Sequence, residues 1–367
     1  MRRRILLLWG LSGICSLTLA CSEDAPGPTA PATAQPAAAL DGAALSLYGL
    51  AAGPGCRTAS YRQFDFWLGS WEVAVNGNPP RAASFITSAL DGCAILESWH
   101  GALGGTGRSL NGFDAADGQW HQHWVENYGF YPLRLDGGLR GGAMVMQGSY
   151  PDPNGTPTVF TDRYTWTALG PDDVRQAVEQ SVDGGQTFGP VSFDGRYHRN
   201  PLPTVPPAAF FGVCASADPS LVLFHEFDFL VGAWQVRLDG PGAANGAAHR
   251  PSLRSDITRE MDGCLLEERI TGEAGYEAMV FLNIRPLDEI WQRTYMDNRG
   301  LRIFVTGPRM QNGKTVLTGT MPGPGHSVAP VRATFEQLDS NHFTERWERG
   351  GQGGTWTPLL TATYGPR

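Results

Sequence analysis

Charged side chains are scarce in this sequence. They make up 17% of its 367 residues, against roughly 25% in an average soluble domain. The basic residues are almost all arginine, with Lys314 as the single lysine, and they are scattered along the chain. With a formal net charge of -8 and no basic patch, the chain lacks the electrostatic footprint of a protein that binds nucleic acid.

Long hydrophobic runs are also lacking after the first twenty residues, so the sequence predicts no other segment that spans a membrane. Turn-forming residues are abundant instead, with 47 glycines and 27 prolines, and aromatic residues make up 10% of the chain. This composition excludes long helices, coiled coils and collagen. Because aromatic residues remain plentiful between the turns, we predict an all-β fold.

The first twenty residues have the pattern of a secretory signal peptide. Three arginines at 2–4 precede an apolar run at 5–19, and Ala20 is a small residue directly before Cys21. The segment LTLAC at 17–21 resembles a bacterial lipobox, which implies a lipid on Cys21. Residues 22–46 are mostly Ala, Pro, Ser and Thr, so we predict a solvated tether over 21–55. Ordinary cleavage, with Cys21 incidental, is the alternative.

The rest of the sequence is one unit repeated. FDFWLGSWEV at 64–73 is answered by FDFLVGAWQV at 227–236, and WHQHWVEN at 120–127 by WQRTYMDN at 291–298. LDGC, followed by Glu97, matches MDGC, followed by Glu267. We therefore predict two domains, at 56–199 and 214–367. The linker at 200–213 carries four prolines and no charge, which indicates a stiff connection.

Cysteine positions support the same division. Once Cys15 is removed with the signal peptide and Cys21 is assigned to lipid, each unit retains one cysteine before its FDF motif and one in its DGC motif. Such pairs imply an oxidising periplasmic or cell-surface compartment. A metal site is the rival interpretation, but two separated cysteines without a CxxC motif fit one poorly. The predicted disulfides are Cys56–Cys93 and Cys214–Cys264.

Short alternating stretches, broken by Gly, Asp and Asn turns, predict half-buried strands at 71–75, 143–148, 162–167 and 174–180. A unit with about eight to ten such strands can close into a small antiparallel barrel. The FDFW-x-G-x-W motif resembles the start of a calycin barrel, the superfamily of lipocalins and fatty-acid-binding proteins. Its residues here are Trp67, Gly69, Trp71, Gly232 and Trp234.

Taken with DGC, W-x-x-x-W-V-x-N and S-x-DGG-x-T, this motif is similar to an uncharacterised bacterial family of secreted lipocalin-like domains, here in tandem. The resemblance implies two antiparallel lipocalin-like β-barrels joined by the Pro-rich linker. It also implies that Trp71 packs across the closed end of its barrel against an arginine of the last strand, for which Arg196 is the candidate.

The WHQHWVEN segment places aromatic rings and an acid on one face of a strand, because alternate side chains point the same way. Such a face could line a small-molecule pocket, or it could be the outer face of an interaction sheet. The second unit repeats the pattern with Arg293 in the series. We predict a pocket lining. The predicted ligand-binding residues are Trp120, Gln122, Trp124, Glu126, Trp291, Tyr295 and Asp297.

His121 and His123 share the opposite face of this strand, as an H-x-H metal pair would. No third ligand is evident, and Gln292 and Thr294 occupy the corresponding positions in the second unit. We therefore expect partly exposed strand histidines, no metal and no cofactor.

Together these features predict a protein secreted through the inner membrane and held by its lipid at the periplasmic face of the outer membrane or at the cell surface. Binding of a small apolar or amphipathic ligand, without catalysis, is what the superfamily resemblance implies. The alternatives are an envelope scaffold with filled barrels, and a calycin-type isomerase or cyclase marked by a buried Glu126. No catalytic motif is present. We expect a monomer that contacts membrane through its anchor only.

Overall fold

The computed structural model describes residues 47–49, 55–129, 133–152, 156–216, 218–241, 252–322 and 328–367. Strands make up nearly all of their regular secondary structure apart from short 3-10 helices, which confirms the predicted all-β class. The predicted signal peptide at 1–20, Cys21 and most of the predicted tether at 21–55 lie outside the described residues. Within the described ranges, no helix has the length and apolar character needed to cross a membrane.

Ten antiparallel strands close into barrel 1, in which each strand pairs with the next and β10 pairs with β1. Closure leaves no unpaired sheet edge. The strands are β1 (Gly69–Val75), β2 (Ala82–Ala89), β3 (Ala94–His100), β4 (Thr106–Asp114), β5 (Gln119–Glu126), β6 (Leu133–Arg140), β7 (Ala143–Pro151), β8 (Val159–Ala168), β9 (Asp173–Ser181) and β10 (Val191–Arg199).

Barrel 2 repeats this order and is closed by the pairing of β20 with β11. Two closed ten-stranded antiparallel barrels fit a calycin-like fold. The strands are β11 (Gly232–Asp239), β12 (Leu253–Glu260), β13 (Leu265–Thr271), β14 (Glu277–Arg285), β15 (Ile290–Asp297), β16 (Arg302–Gly307), β17 (Lys314–Pro322), β18 (Val328–Gln337), β19 (Phe343–Gly350) and β20 (Trp356–Pro366).

Short 3-10 helices precede β1 or lie in connections between strands. They are Leu47–Gly49, Ala59–Arg62, Asp65–Trp67, Leu90–Gly92, Pro219–His225, Asp228–Leu230, Met261–Gly263, Glu273–Gly275 and Gln352–Gly354.

The FDFW motif fills one end of barrel 1 with aromatic rings. Phe64 stacks on Trp67 with ring centroids 4.8 Å apart, and the indole N–H of Trp71 donates to the Trp67 carbonyl at 2.9 Å. All three side chains are fully buried. Barrel 2 makes the same bond from Trp234 to the carbonyl of Leu230 at 2.7 Å. The motif therefore closes the end of each barrel.

The arginine that packs on Trp71 is Arg199, and the choice of Arg196 was wrong. The Arg199 guanidinium carbon lies 4.3 Å from the centroid of the Trp71 ring, whereas Arg196 is exposed and pairs with Asp194. Arg196 directly precedes Tyr197, whose side chain is buried inside the barrel. Because neighbouring side chains of a strand point to opposite faces, the Arg196 side chain points outward. Gly69 has φ +143° and leaves the space that the Arg199 guanidinium occupies.

The two barrels contact each other through their repeated motifs. Asn127, at the end of WHQHWVEN, donates to Asp262 of the second DGC motif at 2.9 Å. Asn298 donates in the same way to Asp91 of the first DGC motif at 2.8 Å. Both aspartates have φ 54°, a left-handed conformation that Asp tolerates better than most residues. We call these two reciprocal bonds the Asn–Asp clasp.

The outer face of β5 is buried, which corrects the expectation of partly exposed histidines. His123 bonds to Thr294 at 2.9 Å and to Asn283 at 2.6 Å, because barrel 2 covers this face. Burial lowers the pKa of His123 to about 4. His121 is also buried and bonds to Asp136.

Both predicted disulfides, Cys56–Cys93 and Cys214–Cys264, are present. They join residues 37 and 50 positions apart, and chain-entropy estimates for such loops are about 4 kcal/mol each. The disulfides are compatible with an extracytoplasmic protein, because such bonds persist in oxidising compartments.

Leu47 and Tyr48 fall within the stretch that the sequence predicts as a solvated tether, yet both are fully buried. The Tyr48 hydroxyl donates to Glu345 of barrel 2 at 2.7 Å. This short segment therefore belongs to the interior of barrel 2.

Candidate functional site

Barrel 1 contains an open cavity of about 350 Å³, within the usual range for a small-molecule site. Of its lining residues, Ser192 is exposed. Inward-facing side chains of β3, β5, β8, β9 and β10 form most of its wall. The lining residues are Glu97, Trp99, Gln122, Trp124, Glu126, Asp162, Tyr164, Gln176, Val178, Ser192, Phe193 and Tyr197.

A second recess of about 240 Å³ adjoins the cavity and shares with it Trp124, Glu126, Asp162 and Tyr164. Its other side is formed by the turn between β14 and β15 of barrel 2, where Arg285 bonds to Asp288. Barrel 2 therefore contributes to the outer wall of the site.

Alternate side chains of β5 point into barrel 1, and three of the four predicted ligand-binding residues of this barrel line the cavity. Gln122, Trp124 and Glu126 line it. Trp120 points the same way but lies deeper, where its indole N–H donates to the Ser60 carbonyl at 3.2 Å. Its ring packs against Phe64 with centroids 5.6 Å apart. Trp120 therefore belongs to the aromatic closed end of the barrel.

Glu97 has a buried carboxyl group and was not among the predicted ligand-binding residues. It accepts hydrogen bonds from Ser84 at 3.1 Å and from Ser109 at 2.9 Å. Burial raises its pKa to about 7, although the two serine bonds act in the opposite direction. The sequence does mark this residue. Glu97 follows the DGC cysteine by four positions, and Glu268 does so in the second unit.

Two further carboxyl groups face the cavity. Burial raises the pKa of Glu126 to about 7. Asp162 accepts hydrogen bonds from Tyr150 at 3.1 Å and from Gln180 at 3.2 Å, and burial raises its pKa. Among the described residues that line the cavity there is no Lys, Arg or His. The wall is therefore acidic.

Aromatic rings form the rest of the wall. The ring of Trp99 lies 6.2 Å from that of Phe193 and 6.3 Å from that of Tyr197, between centroids. Trp124 and Tyr164 face both the cavity and the adjoining recess. The site thus combines rings with carboxyl groups.

The interior of barrel 2 is filled, with only about 10 Å³ of free space at the corresponding position. Arg293 occupies the position that Gln122 has in the repeat, and it pairs with Glu345 at 2.9 Å and with Glu268 at 3.6 Å. Burial lowers the pKa of Arg293, but Glu345 and Glu268 raise it above its ordinary value. The barrel therefore holds its own internal cation.

Glu268, and not Glu267, is the equivalent of Glu97. It accepts a hydrogen bond from Ser255 at 2.7 Å, as Glu97 does from Ser84. Glu267 points outward and pairs with Arg108 of barrel 1 at 2.9 Å. Neighbouring residues of a strand point to opposite faces. Glu268 therefore lies inside barrel 2, while Glu267 pairs with barrel 1.

The three predicted ligand-binding residues of barrel 2 are not among the lining residues of the three spaces described above. Trp291 donates to Glu226 at 2.9 Å, and the Tyr295 hydroxyl accepts from the Tyr48 amide at 3.1 Å. Asp297 accepts from the backbone of the following turn, and burial raises its pKa to about 7. The polar groups of these three side chains therefore have hydrogen-bond partners within the fold.

One group of possible metal ligands lies outside the cavity, where Asp114, Asp117 and His121 have ligand atoms within 4.8 Å of one another. Asp136 and Asp117 already bond to the two ring nitrogens of His121, and Arg302 lies 3.7 Å from Asp114. We assign no metal to this group, because its ligand atoms already have partners.

No family model matches the chain, and no curated protein matches it. Among solved structures it is similar to a protein of unknown function from the DUF3598 family of Nostoc punctiforme, at 11% identity over 84% of this chain and 100% of that chain, with a TM-score of 0.21. It is also similar to a mutant of the vaccine antigen transferrin binding protein B from Haemophilus parasuis, at 7% identity over 72% of this chain and 66% of that chain, with a TM-score of 0.17. Similarity at this level assigns neither a family nor a function.

Proposed function

We propose that this chain is a secreted, lipid-anchored envelope protein that binds a small apolar or amphipathic ligand in barrel 1. The observation that carries the proposal is the contrast between the two barrels. Barrel 1 encloses about 350 Å³ lined by rings and a few polar groups, while the equivalent space in barrel 2 is about 10 Å³. A wall of this mixed kind is typical of small-molecule sites.

The proposal assigns barrel 2 a structural part. Its interior is occupied by Arg293, its acidic partners and Tyr48, and it supplies the β14–β15 turn beside the mouth of barrel 1. A pure scaffold would need no cavity in either barrel, so the open interior of barrel 1 favours ligand binding.

The cellular location is part of the same proposal. Two disulfides support an oxidising compartment, and the pattern of the first twenty residues supports export and lipidation at Cys21. Membership of the uncharacterised family of secreted lipocalin-like domains, action as a monomer, and a tether ahead of position 47 belong to this proposal too.

A second candidate function is general acid–base catalysis. Glu97 and Glu126 both face the cavity, and burial raises the pKa of each to about 7, the range in which a carboxyl group transfers protons efficiently. A catalytic cavity would turn a bound molecule into a product, whereas a binding protein returns it unchanged. Mass spectrometry of a ligand recovered from the protein separates the two functions.

The binding proposal is tested with a neutral, environment-sensitive lipid probe. We expect micromolar binding that quenches tryptophan fluorescence, and a loss of at least about fivefold in affinity in Trp124→Ala, because this ring lies on the cavity wall. Trp356→Ala is the matched control, since Trp356 is also half-buried but packs under Arg332 on the outside of barrel 2.

The control variant should bind the probe as the wild type does. If the wild-type protein binds none of a panel of fatty acids, sterols, quinones and amphipathic amines, the binding proposal is wrong and the scaffold alternative is favoured. Equal loss of affinity in both variants would also contradict it, because the effect would then come from general destabilisation.

A further inference from the structure

The wall of the barrel 1 cavity carries an excess of acidic groups. Arg285 lines the adjoining recess, but it is bonded to Asp288. Glu97, Glu126 and Asp162 face the cavity, and no basic side chain lies among its described lining residues. The serine hydroxyls that bond to Glu97 solvate its carboxyl group without supplying a positive charge. A buried carboxylate is stable only when it is paired, and otherwise it takes up a proton.

Barrel 2 shows what the same framework looks like when the charge is balanced. The guanidinium of Arg293 lies 2.9 Å from Glu345 and 3.6 Å from Glu268. The rings of Phe335 and Trp347 are each 5.4 Å from its central carbon. Carboxylates and aromatic faces together are a favourable environment for a cation.

The repeat alignment locates the difference between the two interiors. Gln122 in barrel 1 stands where Arg293 stands in barrel 2, while Glu97 and Glu268 are equivalent, each bonded to the serine of the neighbouring strand. Tyr197 and Tyr364 are likewise equivalent, since each pairs with the valine two residues after the motif tryptophan. Glu97 and Tyr197 therefore retain one acid and the ring in barrel 1. Gln122 replaces the internal cation, and Gln176 replaces its nearer carboxylate, Glu345, since each of these two bonds to the equivalent tyrosine.

We propose that barrel 1 binds a small organic cation, an amine or quaternary ammonium group on an apolar body, whose charge takes the place that the Arg293 guanidinium fills in barrel 2. This inference rests on the binding function proposed above and names its ligand class. The charged group lies beside Glu97, while Glu126 and Asp162 add negative charge to the same cavity wall. The apolar body packs against Trp99, Trp124 and Tyr164. An anionic ligand is repelled by the three carboxyl groups, and a neutral one gains nothing from their negative charge.

The test compares two probes of the same shape, phenyltrimethylammonium and tert-butylbenzene, which differ in charge alone. Binding to the full chain is measured by calorimetry and by tryptophan quenching at a slightly alkaline pH. We expect the cation to bind at least about tenfold more tightly than the neutral probe, as cation–π and carboxylate contacts both favour it.

Two variants locate the effect in this cavity. Gln122→Arg supplies barrel 1 with the internal cation of barrel 2 and should weaken phenyltrimethylammonium at least about tenfold. Glu126→Gln keeps the shape of the wall and removes one charge, so it should weaken the cation several-fold and leave tert-butylbenzene unchanged. Glu179→Gln is the control, because Glu179 pairs with Arg163 outside the cavity.

The outcomes separate this inference from the binding function on which it rests. If tert-butylbenzene binds as tightly as phenyltrimethylammonium, or if Glu126→Gln and Gln122→Arg bind the cation like the wild type, the cation inference is overturned while ligand binding stands. If neither probe nor the neutral lipid probe binds to the wild-type protein, the binding function itself is wrong.

Discussion

Glu97 should reduce the stability of the protein at alkaline pH, and its replacement by glutamine should remove that effect. The carboxyl group is buried among Ser84 and Ser109, and burial raises its pKa from 4.5 to about 7. In the unfolded chain an ordinary glutamate ionises near pH 4.3. Between these two values the folded protein binds more protons than the unfolded chain, so stability falls as the pH rises from about 4.5 to about 7.

The size of the effect follows from the two pKa values. Each tenfold difference in proton affinity corresponds to about 1.4 kcal/mol, so full ionisation of Glu97, which is complete well above pH 7, costs about 3 to 4 kcal/mol. Glutamine has the same shape, and the loss of one serine hydrogen bond costs about 1 kcal/mol. We therefore expect Glu97→Gln to be about 2 to 3 kcal/mol more stable than the wild type near pH 8.5, and no more stable than it near pH 4.5.

Urea unfolding at the two pH values, with the disulfides intact, measures both free energies. Glu277→Gln is the control, because Glu277 is exposed on β14 and its replacement removes the same charge without a change in burial. The control should have a small effect that does not depend on pH. If Glu97→Gln destabilises the protein equally at both pH values, Glu97 is not an uncompensated buried acid, and the reasoning is refuted.

Three further predictions concern other parts of the molecule. Tyr48→Phe should lower the free energy of unfolding by about 1 to 3 kcal/mol, because it removes the 2.7 Å bond to buried Glu345; an unchanged urea midpoint would place Tyr48 outside barrel 2. Asn127→Asp places a second carboxylate against Asp262 in the Asn–Asp clasp and should lower the free energy of unfolding by about 1 to 3 kcal/mol. Calorimetry should then show separate unfolding transitions for the two barrels, and a single unchanged transition would contradict this prediction. Cys21→Ser should move the protein into the aqueous phase of a detergent separation, and wild-type protein already in that phase would exclude the lipid anchor.

The architecture was accessible from the sequence because it is encoded locally and twice. Each unit carries its own closing motif, its own cysteine pair and its own alternating strands, so the repeat alone indicated two barrels. The inward face of β5 was predictable for the same reason, since alternation places Gln122, Trp124 and Glu126 on one side of the strand.

The difference between the barrels was not predicted, although part of it is visible in the sequence. The second copy has Arg293 where the first has Gln122, and treating the copies as equivalent concealed the fact that one carries its own cation. Glu268 was missed through a one-residue shift between adjacent glutamates. The burial of Tyr48 has no local signal, because a single tyrosine in an Ala-rich stretch becomes buried only through barrel 2.

The asymmetry of the interiors gives the tandem arrangement a physical reason. The cavity of barrel 1 is lined by acids with no basic side chain among its described lining residues. Such a cavity lowers the stability of the barrel that contains it, as functional sites generally do. In barrel 2 the same framework is filled by the chain itself, through Arg293 and Tyr48, and contributes stability instead. Because the Asn–Asp clasp and the buried contacts of His123 join the two barrels, unfolding barrel 1 also exposes the surface of barrel 2 that it covers. The filled copy therefore supports the open one, and barrel 1 can keep an excess of acidic groups on its cavity wall.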